Sequence, residues 1–187
     1  VGPLELSNIE HHLAHLAGDG PAAAVPLGSL GVAWPRIARA DSPEQVRSML
    51  ARSAWGDPGG TDRVTVGVGL RIALARRIVR QAPDAATWAR GATSVLVARE
   101  RFAFGRQIAT VTGHEVDALI GTRWRRATTI GDLAELLPDS ASWPLAEVTS
   151  PRDLWTAERA VVRRVDLDAT RLAASGRSRR ATVMAIM

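Results

Sequence analysis

The sequence predicts an all-α chain, and three observations predict it. Apolar residues recur at spacings of three and four, period-two alternation is almost absent, and several segments open with a Ser or Thr followed three positions later by Gln or Asp. Leu4, Ile9, Leu13 and Leu16 fall at helical spacing in the first segment, which Gly18, Asp19, Gly20 and Pro21 end. Pro26-Leu27-Gly28-Ser29-Leu30 reads as a turn, leading to a second helix that carries Val32, Ile37 and Ala38, with Pro35 near its start, where proline is tolerated. Ser42-Pro43-Glu44-Gln45 is a helix start: a serine cap, proline at the first helical position, and a glutamine placed to return the capping-box bond. Val46, Met49 and Leu50 supply that helix's buried face.

Gly, Pro and Asp cluster over 55–62, the one strong hinge signal, so residues 1–60 are expected to form part of one helical lobe and 61–187 a second lobe with the start of a further helix. From Leu70 onward, Leu74 and Ile78 line one side of an amphipathic helix and Arg76, Arg77 and Arg80 the other. Pro83-Asp84 breaks it. The next helix puts Trp88, Ala92, Val95, Leu96 and Phe102 on one stripe, and Gly91 within it is expected to cost about 1 kcal/mol relative to alanine. The stretch holding Gly113 and Gly121 gives no firm reading. Thr129 and Asp132 open another helix, with Leu133, Leu136 and Leu137 inside and Pro138 beyond. After a turn at Trp143-Pro144, Ser150-Pro151-Arg152-Asp153 opens the longest helix, whose Leu154, Val161, Val162, Val165 and Leu172 share a face before Gly176. Both ends read as cut: Val1 is not an initiator, and 179–187 begin an apolar helical pattern that stops uncapped.

The 187 residues are 46% apolar, enough for a buried core. No run approaches the roughly 18 apolar residues of a membrane helix, so membrane association is expected to be peripheral. Cysteine is absent, which excludes disulfides and thiolate metal sites. Every Lys/Arg position is Arg, and the sequence pI of 11.3 overstates a net charge of only +5. The 19 acidic residues are interspersed with the basic ones, which argues against a nucleic-acid partner.

Candidate sites follow from residue type and spacing. His11 and His15, four apart beside His12, share a helix face as a metal pair would, but a third ligand is missing and His114 is remote in sequence. No nucleophile, histidine and carboxylate set is visible, so neither catalytic residues nor a cofactor or metal are assigned. Arg63-Val64-Thr65-Val66-Gly67-Val68-Gly69 resembles a strand leading into a dinucleotide-binding turn, although Ile72 occupies the place of the third glycine. That motif gives the alternative function, a dinucleotide-binding enzyme fragment; a helical nucleic-acid-binding module is a further one. Arg76, Arg77 and Arg80 form a basic stripe suited to an acidic partner, and Arg123, Arg125 and Arg126 around Trp124 form a second. Among the six tryptophans, Trp55 beside the hinge is a candidate interface residue.

Glu5-x-x-Asn8-Ile9 on a helix, Pro26-Leu27-Gly28-Ser29-Leu30, a helix, Ala40-Asp41-Ser42-Pro43-Glu44 into another helix, and then Trp55-Gly56 resemble one lobe of the C/d subunit family of V-type and archaeal-type rotary ATPases. Leu70-Arg71-x-x-Leu74 resembles the start of a next lobe, and Leu154-Trp155-x-Ala157-Glu158 a later long helix. Two positions depart from the pattern: Ala14 stands where many relatives carry arginine, and Trp55 replaces the common tyrosine. The resemblance implies a funnel of helical lobes with an internal pseudo-repeat. It further implies a non-catalytic central-stalk subunit of a proton- or sodium-translocating pump, seated peripherally at the cytoplasmic face of the membrane. Its partners would be rotor-shaft subunits D and F and the membrane proteolipid ring. The family pattern does not itself assign Arg76, Arg77 or Arg80.

Overall fold

In a computed structural model, residues 2–21 and 24–174 are described, with side chains at all of these except 30 and 165–174. Among them nine α-helices follow in order: α1 Gly2–Leu16, α2 Trp34–Ile37, α3 Pro43–Ala51, α4 Arg63–Gln81, α5 Ala86–Ala98, α6 Thr110–Ile120, α7 Ile130–Leu136, α8 Asp139–Ser142 and α9 Leu154–Ala174. Single 3-10 turns join several of them, and α5 runs on into a π-helical turn, Arg99–Ala103. The chain is all-α, with no strand among the described residues. It divides into two compact units, Val1–Leu74 with Ile108–Glu115, and Ala75–Gln107 with Val116–Met187. The 55–62 segment lies inside the first unit.

The local signals act as read. Gly18, at φ 83°, closes α1 by a Schellman motif: Asp19 N–H donates to Ala14 O at 2.8 Å and Gly18 N–H to His15 O at 2.9 Å. Ser42 Oγ accepts from Gln45 N–H at 3.3 Å, and the Gln45 side chain returns its bond one residue earlier than expected, to Asp41 N–H at 3.1 Å. Thr129 with Asp132 and Ser150 with Asp153 are complete capping boxes.

The first unit's core unites Leu6, Ile9 and Leu13 of α1, Ile37 of α2, Val46 and Leu50 of α3, Trp55, and Val66 and Leu70 of α4. Burying a side chain of this size contributes about 1.5–3 kcal/mol. In the second unit α5 packs against α8 and α9 and is buried on nearly every side from Thr93 to Ala98, as a central helix must be. Polar pins fix its neighbours: Ser94 Oγ donates to Ala141 O at 2.7 Å, Trp88 Nε1 to Val161 O at 3.0 Å, and Trp143 Nε1 to Thr87 O at 3.2 Å.

Several expectations need correction. The 63–69 segment is the first two turns of α4, not a strand and glycine turn, because Asp62 Oδ1 accepts from Thr65 N–H at 2.9 Å and caps the helix there. The second helix is only Trp34–Ile37, and Val32 is exposed ahead of it. Leu4 and Val162 also face outward, since Leu6 and Ala157 complete the buried stripes of α1 and α9. The unread stretch around Gly113 is α6, ended by Gly121 at φ 80°. The side chains of Val165 and Leu172, the stop at Gly176 and the pattern over 179–187 lie outside what is described.

Candidate interaction surfaces and the buried Glu5 centre

Polar residues of α1 organise the first unit. Glu5 and Asn8 are 1% and 0% exposed, three apart on the helix face that also carries Ile9. Glu5 Oε1 accepts from the backbone N–H groups of Ala33 and Trp34 at 2.6 and 2.8 Å, thereby supplying the acceptor that the unfilled start of α2 needs. Glu5 Oε2 accepts from Trp55 Nε1 at 3.1 Å. Asn8 clamps the loop backbone from both sides: its Oδ1 accepts from Val25 N–H at 2.8 Å and its Nδ2 donates to Val25 O at 2.9 Å. A buried carboxylate with three donors and a buried amide with a donor and an acceptor are satisfied groups, which is the condition for burying them at all. Trp55 is therefore a core anchor in this unit, 5% exposed.

The histidines of α1 do not converge on one point. His12 is buried, donates from Nε2 to Ala40 O at 3.0 Å and meets the Trp34 ring edge-on at 5.9 Å. His15 donates from Nδ1 to Gly20 O at 3.0 Å, while His11 Nδ1 lies 3.4 Å from Ser7 Oγ. His12 and His15 line a cleft of about 500 Å³ together with Trp34, Arg39 and Asp41. Among the described residues no group of three or more His, Cys, Asp or Glu comes together as a metal would require.

Gly67 and Gly69 face protein. A Cβ on Gly69 would lie 2.7 Å from Pro58 Cα and 2.9 Å from Pro58 O, so the glycine lets α4 pass directly over the 55–62 loop. Gly67 sits beneath the ion pair of Glu10 and Arg71, which links α1 to α4.

Arg76, Arg77 and Arg80 of α4 fall in the second unit. Arg80 is exposed, whereas Arg76 and Arg77 are half-buried and each already has an interaction within the chain. The denser cationic feature is the 3-10 turn Arg123–Arg126. Gly121 turns the chain out of α6, and Trp124 buries its ring and donates from Nε1 to Asp117 Oδ1 at 2.8 Å. Arg125 holds the same carboxylate through two nitrogens, at 3.0 Å from Oδ1 and 2.9 Å from Oδ2, and its guanidinium carbon stands 4.8 Å from the indole centroid. Arg101, from the π-helical turn, donates to Trp124 O at 2.6 Å and Ala127 O at 2.9 Å and lies 5.4 Å from the same indole. Partial burial, and after it the charge of Arg125, pulls Arg101 below the usual arginine value. Arg123 and Arg126, at the two ends of the turn, are exposed. The sequence marks Arg123, Arg125 and Arg126 by their adjacency, but Arg101 and Asp117 join them only through tertiary packing.

No helix of the described residues is long and apolar enough to cross a membrane. Comparison with protein-family models, curated proteins and solved structures returned no match to this chain.

Proposed function

We propose that the chain is a non-catalytic central-stalk coupling subunit of the C/d type in a V/A-type rotary ATPase, joining rotor-shaft subunits D and F to the membrane proteolipid ring. The reading is supported by one observation: Glu5 and Asn8, two residues of the resembling pattern, tie together segments that are far apart in sequence. Glu5 and Asn8 of the motif helix hold Val25 before the Pro26-Leu27-Gly28 turn, the start of α2, and Trp55 of the Trp55-Gly56 pair. Such a spacing pattern is what a lobe needs in order to close on itself, which gives the motif a physical reason to exist. The work of such a subunit would be mechanical. Densely packed helices resist deformation, so torque entering at one face emerges at another. Location at the cytoplasmic face of the membrane belongs to the same proposal.

The test is reconstitution. The chain, tagged and expressed with shaft subunits D and F and the proteolipid ring, is expected to co-elute with them in a stoichiometric complex and to restore coupling of ATP hydrolysis to ion transport. Elution apart from both shaft and ring would sink the proposal.

A further inference from the structure

We infer that the corner formed by Arg101, Arg123, Trp124, Arg125 and Arg126 is a docking surface for a carboxylate-rich segment of a protein partner. The 3-10 turn carries Arg123, Arg125 and Arg126, Arg101 bonds to the carbonyl of Trp124 within it, and Arg125 holds the carboxylate of Asp117. Among the described residues neither Arg123 nor Arg126 forms an ion pair, and the two hydrogen bonds of Arg101 go to neutral carbonyls, Trp124 O and Ala127 O. The corner thus carries excess positive charge, one carboxylate standing against four arginines.

The corner is also rigid. Arg101 pins the turn by two backbone carbonyls, and Trp124 is locked in place through Asp117, so a partner meets guanidinium groups whose scaffold is already ordered. Arg125 and Asp117 display the geometry a partner would reproduce: a planar fork facing both oxygens of one carboxylate. A protein segment fits better than a nucleic acid. Strand binding relies on exposed aromatic faces for the bases to stack on, and Trp124 is only 4% exposed, with guanidinium groups of Arg101 and Arg125 near its ring. This inference stands on the charge arrangement and does not depend on the rotary-ATPase reading, so its failure would leave that proposal intact.

Fluorescence anisotropy of the whole chain with a labelled alternating Glu-Ala peptide tests it. The peptide is expected to bind, to weaken as salt rises, and to lose affinity about tenfold in the double variant Arg123→Ala/Arg126→Ala, two exposed charge contacts being removed. Both arginines are exposed, so the variant should keep its helical circular dichroism and melting temperature. Arg36→Ala, an exposed arginine on α2 outside both basic clusters, should leave binding unchanged. Three results would overturn the inference: equal binding of the matching Gln-Ala peptide, an equal loss in Arg36→Ala, or tighter binding of oligothymidylate than of the acidic peptide.

Discussion

Trp55 donates its indole N–H to the Glu5 carboxylate at 3.1 Å, across 50 positions of sequence, and both side chains are buried. Substituting Glu5→Gln keeps one acceptor for the Ala33 and Trp34 N–H groups but turns an N–H₂ toward the Trp55 donor. A buried donor left unsatisfied costs about 1–3 kcal/mol, so a drop in stability of that size is expected in urea unfolding. Trp55→Phe removes the donor instead and loses packing area. In the double variant the two penalties should be less than additive, because the donor that Glu5→Gln alone leaves stranded is no longer there. Full additivity would mean that the contact does not exist in solution.

Asp132 gives a prediction in pH. Its Oδ2 accepts from the Thr128 N–H at 2.9 Å, from the Thr128 hydroxyl, and from Thr129 N–H at 3.0 Å. These bonds, the Thr128 hydroxyl first, draw its pKa down to about 2 from an ordinary 3.8. A depressed carboxyl pKa means that the charged form is favoured on folding. The contribution to stability is therefore complete above the unfolded value and fades as pH falls from about 4 through about 2. Carboxyl carbon NMR should show Asp132 titrating near 2. Asp132→Asn should be less stable than the natural chain at neutral pH, and the difference should shrink as pH falls from about 4 and close below about 2. A titration midpoint near 3.8 would show that the capping box is open in solution.

What the sequence makes legible is what a few adjacent residues decide. Ser42, Thr129 and Ser150 act on backbone groups three positions away, and Gly18 ends a helix through its own φ, so pattern alone finds them. The start of α4 is missed because Val64, Val66 and Val68 with two glycines imitate a strand and turn, while the deciding bond comes from Asp62. The cationic corner is half legible. Arg123, Arg125 and Arg126 are adjacent, yet Arg101 reaches them only because the π-helical turn carries its side chain onto Trp124. The burial of Glu5 and Asn8 is likewise invisible to periodicity, which assigns polar residues to the outer face.

Gly91 separates helix propensity from packing. Propensity alone makes Gly91→Ala worth about 1 kcal/mol in favour of the variant, since glycine is a poor residue inside a helix. An added Cβ would however collide with the Trp143 indole, at 2.6 Å from Cε2 and closer still to Nε1, the atom that bonds to Thr87 O. Overpacking of this kind costs typically about 1–3 kcal/mol, so the net change should be destabilising. Thermal melting of Gly91→Ala, and of the same change in a Trp143→Leu background, checks it. The penalty should shrink or reverse sign once the indole is gone, and an unchanged penalty would place its origin elsewhere.

Gly67 and Gly69, which share a glycine-rich stretch, should respond unequally to alanine. At Gly67 the atoms in the way are Glu10 Oε1 and, at 2.9 Å, Arg71 Nη1, the ends of two flexible and partly exposed side chains. Those ends can swing aside at the cost of a surface ion pair, itself worth about 0.2–1 kcal/mol, while the helix gains up to about 1 kcal/mol from losing a glycine. Gly67→Ala should therefore melt within a degree or two of the natural chain. At Gly69 the obstacle is Pro58, whose Cα, Cβ and O would all lie within 3.0 Å of the new carbon. Backbone held by a proline ring cannot move aside, and the loop is anchored on both flanks: Arg47 grips Asp57 at 2.8 and 3.0 Å, and the Thr112 hydroxyl donates to Pro58 O at 3.0 Å. Gly69→Ala should therefore lose about 1–3 kcal/mol and expose the 55–62 loop to protease. If the two variants instead lost stability equally, Gly69 would not be serving as the contact point between α4 and Pro58.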